Sequence, residues 1–290
     1  MRCLVTGHKG YIGSHLFSTL RRLGHEVVGI DYKNRNQDLL TCLDQNPYYA
    51  SFKPEVIFHL ACVPRVGYSV ERPVETMMNN VISTTKVLDF ARKVGTKRVI
   101  YSGSSSVVGN GNGPTSPYGL QKLVSEMECK LYSELYGVDT VTLRYFNVYS
   151  PDQKAEGAYA TAVSNFMQHI RDGNDPFITG DGEQKRDMAN VLDVVSANVF
   201  AMNYGGAFGG EHYDVGTGEN ISLNEISKIV KKYFPNVNFK YTQPRKGDVL
   251  LTKANMLPLK EIGWNPEVDI YHGVHDCFKK LKEELKNARK

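Results

Sequence analysis

The segment Thr6–Gly13, TGHKGYIG, constrains this chain more than any other stretch, because it joins the apolar run RCLVTG to the helix-period segment YIGSHLFSTLRRLG. Gly7, Gly10 and Gly13 therefore fall where a strand must turn into a helix. Backbone N–H groups in such a turn can approach a pyrophosphate at the helix N-terminus, where the dipole favours negative charge. Glycines at this spacing can also serve tight packing alone; the strand-turn-helix setting is what favours a nucleotide. Asp31 ends the next apolar run, EVVGID, eighteen residues after Gly13. A carboxylate there accepts hydrogen bonds from adenosine ribose hydroxyls and repels a 2′-phosphate, which favours NAD over NADP. Lys33 and Arg35 keep NADP in view, and a plain turn role is the competing reading of Asp31.

The pattern begun there continues. The apolar runs EVIFHLA, KRVIYSG and DTVTLRYFN alternate with the amphipathic stretches VETMMNNVISTTKVLDFARKVG and PYGLQKLVSEMECKLYSELYG. Short apolar runs between long helical ones are the signature of βα units around a parallel sheet, so the fold class is α/β. After residue 150 the alternation loosens into turn-rich patches such as SPDQKAEG, TGDGEQKR and NYGGAFGG. We expect a nucleotide-binding domain over 1–150, joined by a returning strand near 211–216, and a smaller, loop-rich lobe over 151–290.

Composition excludes several function classes. A net charge of +4 over 290 residues, without a basic stripe, carries no nucleic-acid footprint. The five cysteines are scattered, with no CxxC pair and no ligand spacing, so we expect reduced thiols, no metal site and a cytoplasmic setting. No apolar run reaches membrane-spanning length.

A second cluster carries chemistry. In SPYGLQK, Tyr118 and Lys122 lie four residues apart, which places them on one face of a helix. A free phenol has a pKa of about 10 and is a poor base at neutral pH, but nearby positive charge favours its phenolate. The serine-rich strand end YSGSSSVVG supplies hydroxyls such as Ser104 that can hydrogen-bond the same substrate hydroxyl. Such a group can make or unmake a carbonyl while hydride moves. A tyrosine and lysine at this spacing also occur on solvated helix faces; their place after a glycine turn, an acid and a serine-rich strand end is what distinguishes them.

Taken in order, TGHKGYIG, HLAC, YSGSSSVVG, SPYGLQK, LRYFNVYSP, GDGEQKRDM and RKGD resemble the extended short-chain dehydrogenase/reductase family, in its NAD-dependent epimerase/dehydratase branch, and within it the UDP-hexose 4-epimerases. The resemblance implies a Rossmann-type, doubly wound parallel sheet with a smaller C-terminal α/β substrate lobe. It assigns Gly7, Gly10 and Gly13, with Tyr11 and Ile12, to the pyrophosphate turn, Asp31 to the ribose, and Asp38 with Leu39 to the adenine. It sets Leu60 and Ala61 beneath the cofactor and Asn80 behind that wall. Ser104 aligns with the catalytic hydroxyl, Tyr118 with the base and Lys122 with the lysine on the nicotinamide ribose. Asn147, Arg186, Arg245 and Asp248 match positions that hold the diphosphate and uridine, with Ser104 and Ser105 beside the sugar. A surface ion pair is the plainer reading of the two arginines, and a turn role that of Asn147.

Within the branch, dehydratases carry an Asp-Glu pair straight after the catalytic hydroxyl, where this chain has Ser105 and Ser106. That disfavours water elimination and decarboxylation. The remaining expectation is NAD-dependent 4-epimerisation of a UDP-hexose or UDP-N-acetylhexosamine through a 4-keto sugar. A keto-sugar reductase or dehydratase of the same family is the enzymatic alternative, and a non-catalytic dinucleotide-binding regulator the alternative of another class. Thr252 aligns with a place where a bulkier residue narrows the pocket at the sugar C2 substituent, so N-acetylated sugars should be admitted. The helical stretches 74–94 and 117–136 match the faces of a four-helix homodimer interface. The chain departs from the family in lacking the usual helix and strand between Asp31 and Asp38, in a short glycine-rich link from Ser104 to Tyr118, and in His8 and Lys9 within the first turn. His59 at a buried strand end reads as a core histidine, and Cys62 as small-residue packing.

Overall fold

The computed structural model describes residues 1–34, 37–64, 66–153, 161–244 and 250–288. The chain divides into two compact units, Met1–Tyr145 with Val194–Asp214, and Phe146–Asp193 with Val215–Lys290.

The first five strands are β1 (Arg2–Thr6), β2 (Glu26–Ile30), β3 (Val56–His59), β4 (Arg98–Ser104) and β5 (Asp139–Tyr145). The remaining strands are β6 (Phe177–Thr179), β7 (Lys185–Arg186), β8 (His212–Val215), β9 (Ile221–Ser222) and β10 (Lys240–Thr242). The main sheet has the order β2-β1-β3-β4-β5-β8, with β1 to β5 paired in parallel. Nearly continuous burial along β1 and β3 explains why these strands read as apolar runs without alternation: helices cover both faces of a parallel sheet. The chain reverses its winding direction at β1, and in open parallel sheets ligands bind at the carboxyl ends of the strands beside such a reversal. Those ends carry Gly7, Asp31, Leu60 and Ser104. This is a Rossmann-type α/β sheet.

Two local departures bear on that edge. Strand β2 is the edge of the sheet, and among the described residues no strand or helix lies between Ile30 and Cys42. Gln37 closes the shortcut, its side-chain oxygen accepting from the Asp31 N–H at 3.2 Å and the Asn34 amide at 2.6 Å. The helical stretch after Pro73 is not one regular helix: Pro73–Met77 and Ser83–Val94 flank a π-helical turn, Met78–Ile82. Ser83 and Thr84 each donate to a carbonyl four residues back, Asn79 and Asn80, at 2.6 Å. Hydroxyl back-bonding and an extra residue in the turn go together, and π turns gather at functional sites.

The second unit packs the helices Ala162–Arg171, Leu223–Tyr233 and Ile270–Asn287 around Phe166, Met167, Ile226, Val230, Val274 and Phe278. Beside them, β6 pairs with β10 in parallel and β7 with β9 antiparallel. Ser222 and Glu225 form a complete capping box on the middle helix, satisfying two donors at its start.

Candidate active site

Local chemistry starts the helix Pro117–Tyr136 where the tyrosine is needed. Ser116 caps it by accepting the Gly119 N–H at 3.1 Å, and Pro117 takes the first helical position, where its missing N–H costs nothing. Ser69, fully buried, accepts the Tyr118 N–H at 3.0 Å and donates to the Val66 carbonyl at 2.6 Å, tying the short helix Val66–Glu71 to the backbone of Tyr118. A Cβ on Gly119 would lie 2.7 Å from the Ser106 carbonyl oxygen, so only glycine lets this helix approach the end of β4 so closely.

Lys122 is 2% exposed. Its ammonium donates to the Ser102 carbonyl at 2.7 Å and lies 4.8 Å from the Tyr101 ring centre and 6.0 Å from that of Tyr118. A buried cation facing two rings and one carbonyl retains donor capacity, since an ammonium has three N–H groups. Burial pushes the Tyr118 phenol up to about 12 even though the Lys122 charge and the neighbouring Ser104 act in the opposite direction. Ser104 ends β4 and caps the turn Ser105–Val107, accepting the Ser106 N–H at 3.2 Å and the Ser106 hydroxyl at 2.8 Å. Ser105 stands half-buried in that turn.

The glycine turn is packed as tightly as its spacing suggests. Gly7 has φ +73°, and a Cβ there would meet the Ala61 nitrogen at 2.8 Å; a Cβ on Gly13 would sit 2.1 Å from the Gly7 oxygen. Thus Gly7, Gly13, Leu60 and Ala61 converge. Gly10 is the N-cap of the helix Tyr11–Arg22 and no side-chain hydrogen bond caps it, so this helix start, with its positive dipole end, suits an anion. Asp31 is 5% exposed, and each carboxylate oxygen accepts one backbone N–H, from Lys9 at 2.9 Å and Lys33 at 3.0 Å. A lone pair remains on each oxygen for a ribose hydroxyl. The uncapped turn, the positioned carboxylate and the buried ammonium all fit NAD.

Behind this wall, Asn80 grips the backbone of Val63 from both sides, accepting its N–H at 2.7 Å and donating to its carbonyl at 3.2 Å. Its amide also donates to Gln121, one residue before Lys122, at 2.8 Å. His59 bonds the hydroxyls of Thr6 at 2.8 Å and Thr84 at 3.0 Å, while Thr6 accepts the Ala61 N–H. Burial first, and the Lys122 charge second, lower the His59 pKa to about 3, so the ring is neutral and its bonds are structural. Leu39 is buried in the core with Ile30 and Leu43, and the Asp38 carboxylate accepts the Leu40 N–H.

In the second unit, Asn147 has φ +36° and donates its amide to the Asp187 carbonyl at 2.6 Å and more weakly to the Thr252 hydroxyl at 3.4 Å. That hydroxyl accepts the Asp187 N–H at 3.1 Å. The Asp187 carboxylate, fully buried, accepts from Thr217 N–H and O–H, Gly218 N–H and Ala254 N–H, all between 2.8 and 2.9 Å. Asn147 and Thr252 are thereby brought together on the backbone of Asp187, next in sequence to Arg186. Arg186 and Asn147 line a cavity of about 220 Å³ with Asn165, Gln184, Phe166 and Phe177. Arg245 and Asp248 lie outside the described residues. Sequence reasoning missed Ser69, Gln121 and Asp187; a lone aspartate beside Arg186 was the only trace of the last.

Among the described residues no cluster of three or more His, Cys, Asp or Glu side chains could hold a metal ion, and no helix is long and apolar enough to cross a membrane.

The geometry defines a dinucleotide-binding α/β protein with a tyrosine, lysine and serine gathered at the sheet's carboxyl edge. Residues 3–216 match the NAD dependent epimerase/dehydratase family, and the chain belongs to it. It is 33% identical to a UDP-glucose 4-epimerase of Mycolicibacterium smegmatis, across 94% of this chain and 96% of that one. It is 31% identical to a UDP-N-acetyl-alpha-D-glucosaminuronate decarboxylase of Bacillus cytotoxicus, across 97% of this chain and 98% of that one. A crystal structure of the Thermotoga maritima UDP-glucose 4-epimerase with UDP-glucose superposes with a TM-score of 0.90 at 32% identity, covering 98% of this chain and all of that one.

Proposed function

We propose that this protein is an NAD-dependent 4-epimerase of UDP-hexoses and UDP-N-acetylhexosamines. The observation that carries the reading is the group of buried Tyr118 and Lys122 with half-buried Ser104, followed by serines, Ser105 and Ser106, where an acid pair would serve elimination. Dehydration and decarboxylation both need further proton transfer that two hydroxyls supply poorly, whereas oxidation and re-reduction at one carbon need a single acid-base group. NAD, when bound, accepts the C4 hydride and returns it. Tyr118 removes the hydroxyl proton and later restores it, Lys122 favours the phenolate, and Ser104 orients the sugar oxygen. Asp31 and the glycine turn hold the cofactor in the domain 1–150, with Leu60, Ala61 and Asn80 forming its wall.

The remaining assignments concern the nucleotide sugar, which the lobe 151–290 holds. The Arg186 guanidinium suits a diphosphate, and Arg245 with Asp248 complete the nucleotide contacts. The cavity beside Arg186 mixes aromatic walls with the amides of Asn165 and Gln184, a lining suited to a planar base. Asn147 acts through Asp187 and Thr252, holding Thr252 where it leaves room for an N-acetyl group. Exposed Leu120, Met127, Leu131 and Leu135 on the Tyr118 helix, with Val74, Met78 and Ile82 on the stretch before Ser83, form the surface of a homodimer.

The test follows the anomeric protons of UDP-glucose, UDP-N-acetylglucosamine and UDP-glucuronate by NMR with purified protein and NAD. Galacto epimers of the first two without net reduced cofactor support the reading. Stoichiometric consumption of reduced cofactor by 4-keto sugars, or loss of carbon dioxide from the uronate, would overturn it.

A further inference from the structure

The turn after β4 holds a residue to which neither the glycine turn nor the tyrosine-lysine pair assigns any task. Ser106 makes two bonds to one atom: its N–H and its hydroxyl both donate to Ser104 Oγ, at 3.2 and 2.8 Å. A serine hydroxyl has two acceptor lone pairs and one proton. Ser106 fills both lone pairs, and Ser104 is left with its proton alone. That proton faces the phenol, whose pKa Ser104 lowers. The arrangement is clamped from both sides. Ser104 caps the turn Ser105–Val107, Val107 is buried, and the Tyr118 helix presses Gly119 against the Ser106 carbonyl with no space for a Cβ.

We propose that Ser106 is a positioning residue that makes Ser104 a hydrogen-bond donor only, so that the substrate hydroxyl gives its proton directly to Tyr118 and not through Ser104. The inference rests on the reading of Tyr118 as the acid-base group. In the forward step the C4 hydroxyl O–H bond breaks with its proton to the Tyr118 phenolate, the C4–H bond breaks with its electron pair to NAD, and C4=O forms. A Ser104 that relayed the proton would have to accept one as it released its own. With both lone pairs occupied by Ser106 it can only donate, first to the phenolate and then to the carbonyl oxygen as that forms.

The test compares Ser106→Ala, which frees both the hydroxyl bond and one Ser104 lone pair, with Ser106→Thr, which keeps a hydroxyl. The titratable neighbours of the phenol are Lys122 on its own helix, Cys62 after β3 and Tyr101 on β4, all unchanged in these variants. Titration of ¹³Cζ-tyrosine-labelled protein, with Tyr118→Phe to assign the resonance, should show the Tyr118 pKa raised by about half a unit to one unit in Ser106→Ala, because Ser104 can then turn and accept from the neutral phenol. In turnover, kcat should fall about tenfold and the acidic limb of its pH profile should move up by a similar shift, with KM little changed. Ser106→Thr should restore both. A Ser106→Ala protein whose Tyr118 titration and acidic limb stay where they are, whatever its rate, overturns the proposal, as does a faster enzyme. The NMR titration needs no substrate, so it reads the hydroxyl chain even if wild-type protein leaves every UDP-hexose untouched, an outcome that would count against the epimerase reading instead.

Discussion

The Lys122 ammonium sits 4.8 Å from the centre of the Tyr101 ring, and among the described residues it pairs with no carboxylate and has one bonded acceptor, the Ser102 carbonyl. A buried charge held this way stabilises any anion that forms beside it more than it stabilises the fold. Lys122→Met should therefore cut turnover by about 10²-fold or more. The sign of the pH effect follows from the phenol: Lys122 lowers the Tyr118 pKa, so its loss raises that pKa and shifts the acidic limb of activity to higher pH. Unfolding by denaturant should show little loss of stability. A large drop in stability with an unmoved limb would mean that Lys122 is structural.

Asp31 gives each of its oxygens to one backbone N–H and keeps a lone pair on each. Asp31→Ala should weaken NAD binding about tenfold or more in calorimetry, the range expected for hydrogen bonds to a charged group. NADP binding should suffer less, because the repulsion of a 2′-phosphate is removed as well. Equal losses for the two cofactors would place Asp31 outside the ribose site.

Four donors converge on the buried carboxylate of Asp187. Replacing it with asparagine turns an NH₂ group toward N–H donors and leaves them unpaired, which should cost about 3 kcal/mol in denaturant unfolding. Because Asn147 and Thr252 bond to the Asp187 backbone, binding of a UDP-sugar to the folded fraction should weaken too. A cost below about 0.5 kcal/mol, the size of a surface substitution, would show that the second unit does not depend on this carboxylate.

Thr252 is half-exposed, and its hydroxyl accepts the Asp187 N–H. Thr252→Tyr should lose activity on UDP-N-acetylglucosamine by about tenfold relative to UDP-glucose, since a pocket that loses room rejects the larger substituent. Thr252→Ser keeps the hydroxyl and should change neither. Equal losses on both sugars for the tyrosine variant would sink the assignment.

The strand-turn-helix at Gly7–Gly13, the acid at Asp31 and the pair Tyr118 and Lys122 were legible because each is a local pattern. Strand burial shows as apolar runs, helical adjacency as a spacing of four, and a tight turn as glycine. The missing elements after Asp31 were legible as a simple lack of residues. The π turn was not, because its residues have the same amphipathic pattern as an ordinary helix.

What the sequence by itself determined is therefore the sheet, the order of its βα units and the chemical groups at its carboxyl edge. Tertiary structure alone decided how those groups are held. Ser69 meets Tyr118 across 49 positions, Lys122 meets Ser102 across 20, and Asp187 gathers donors up to 67 positions away. Even Ser106 and Ser104, two residues apart, acquire their directed bonds from the turn that packing against Gly119 imposes. Periodicity records which face of an element is buried, but the direction of a hydrogen bond depends on where another element places its donor, and no local pattern carries that.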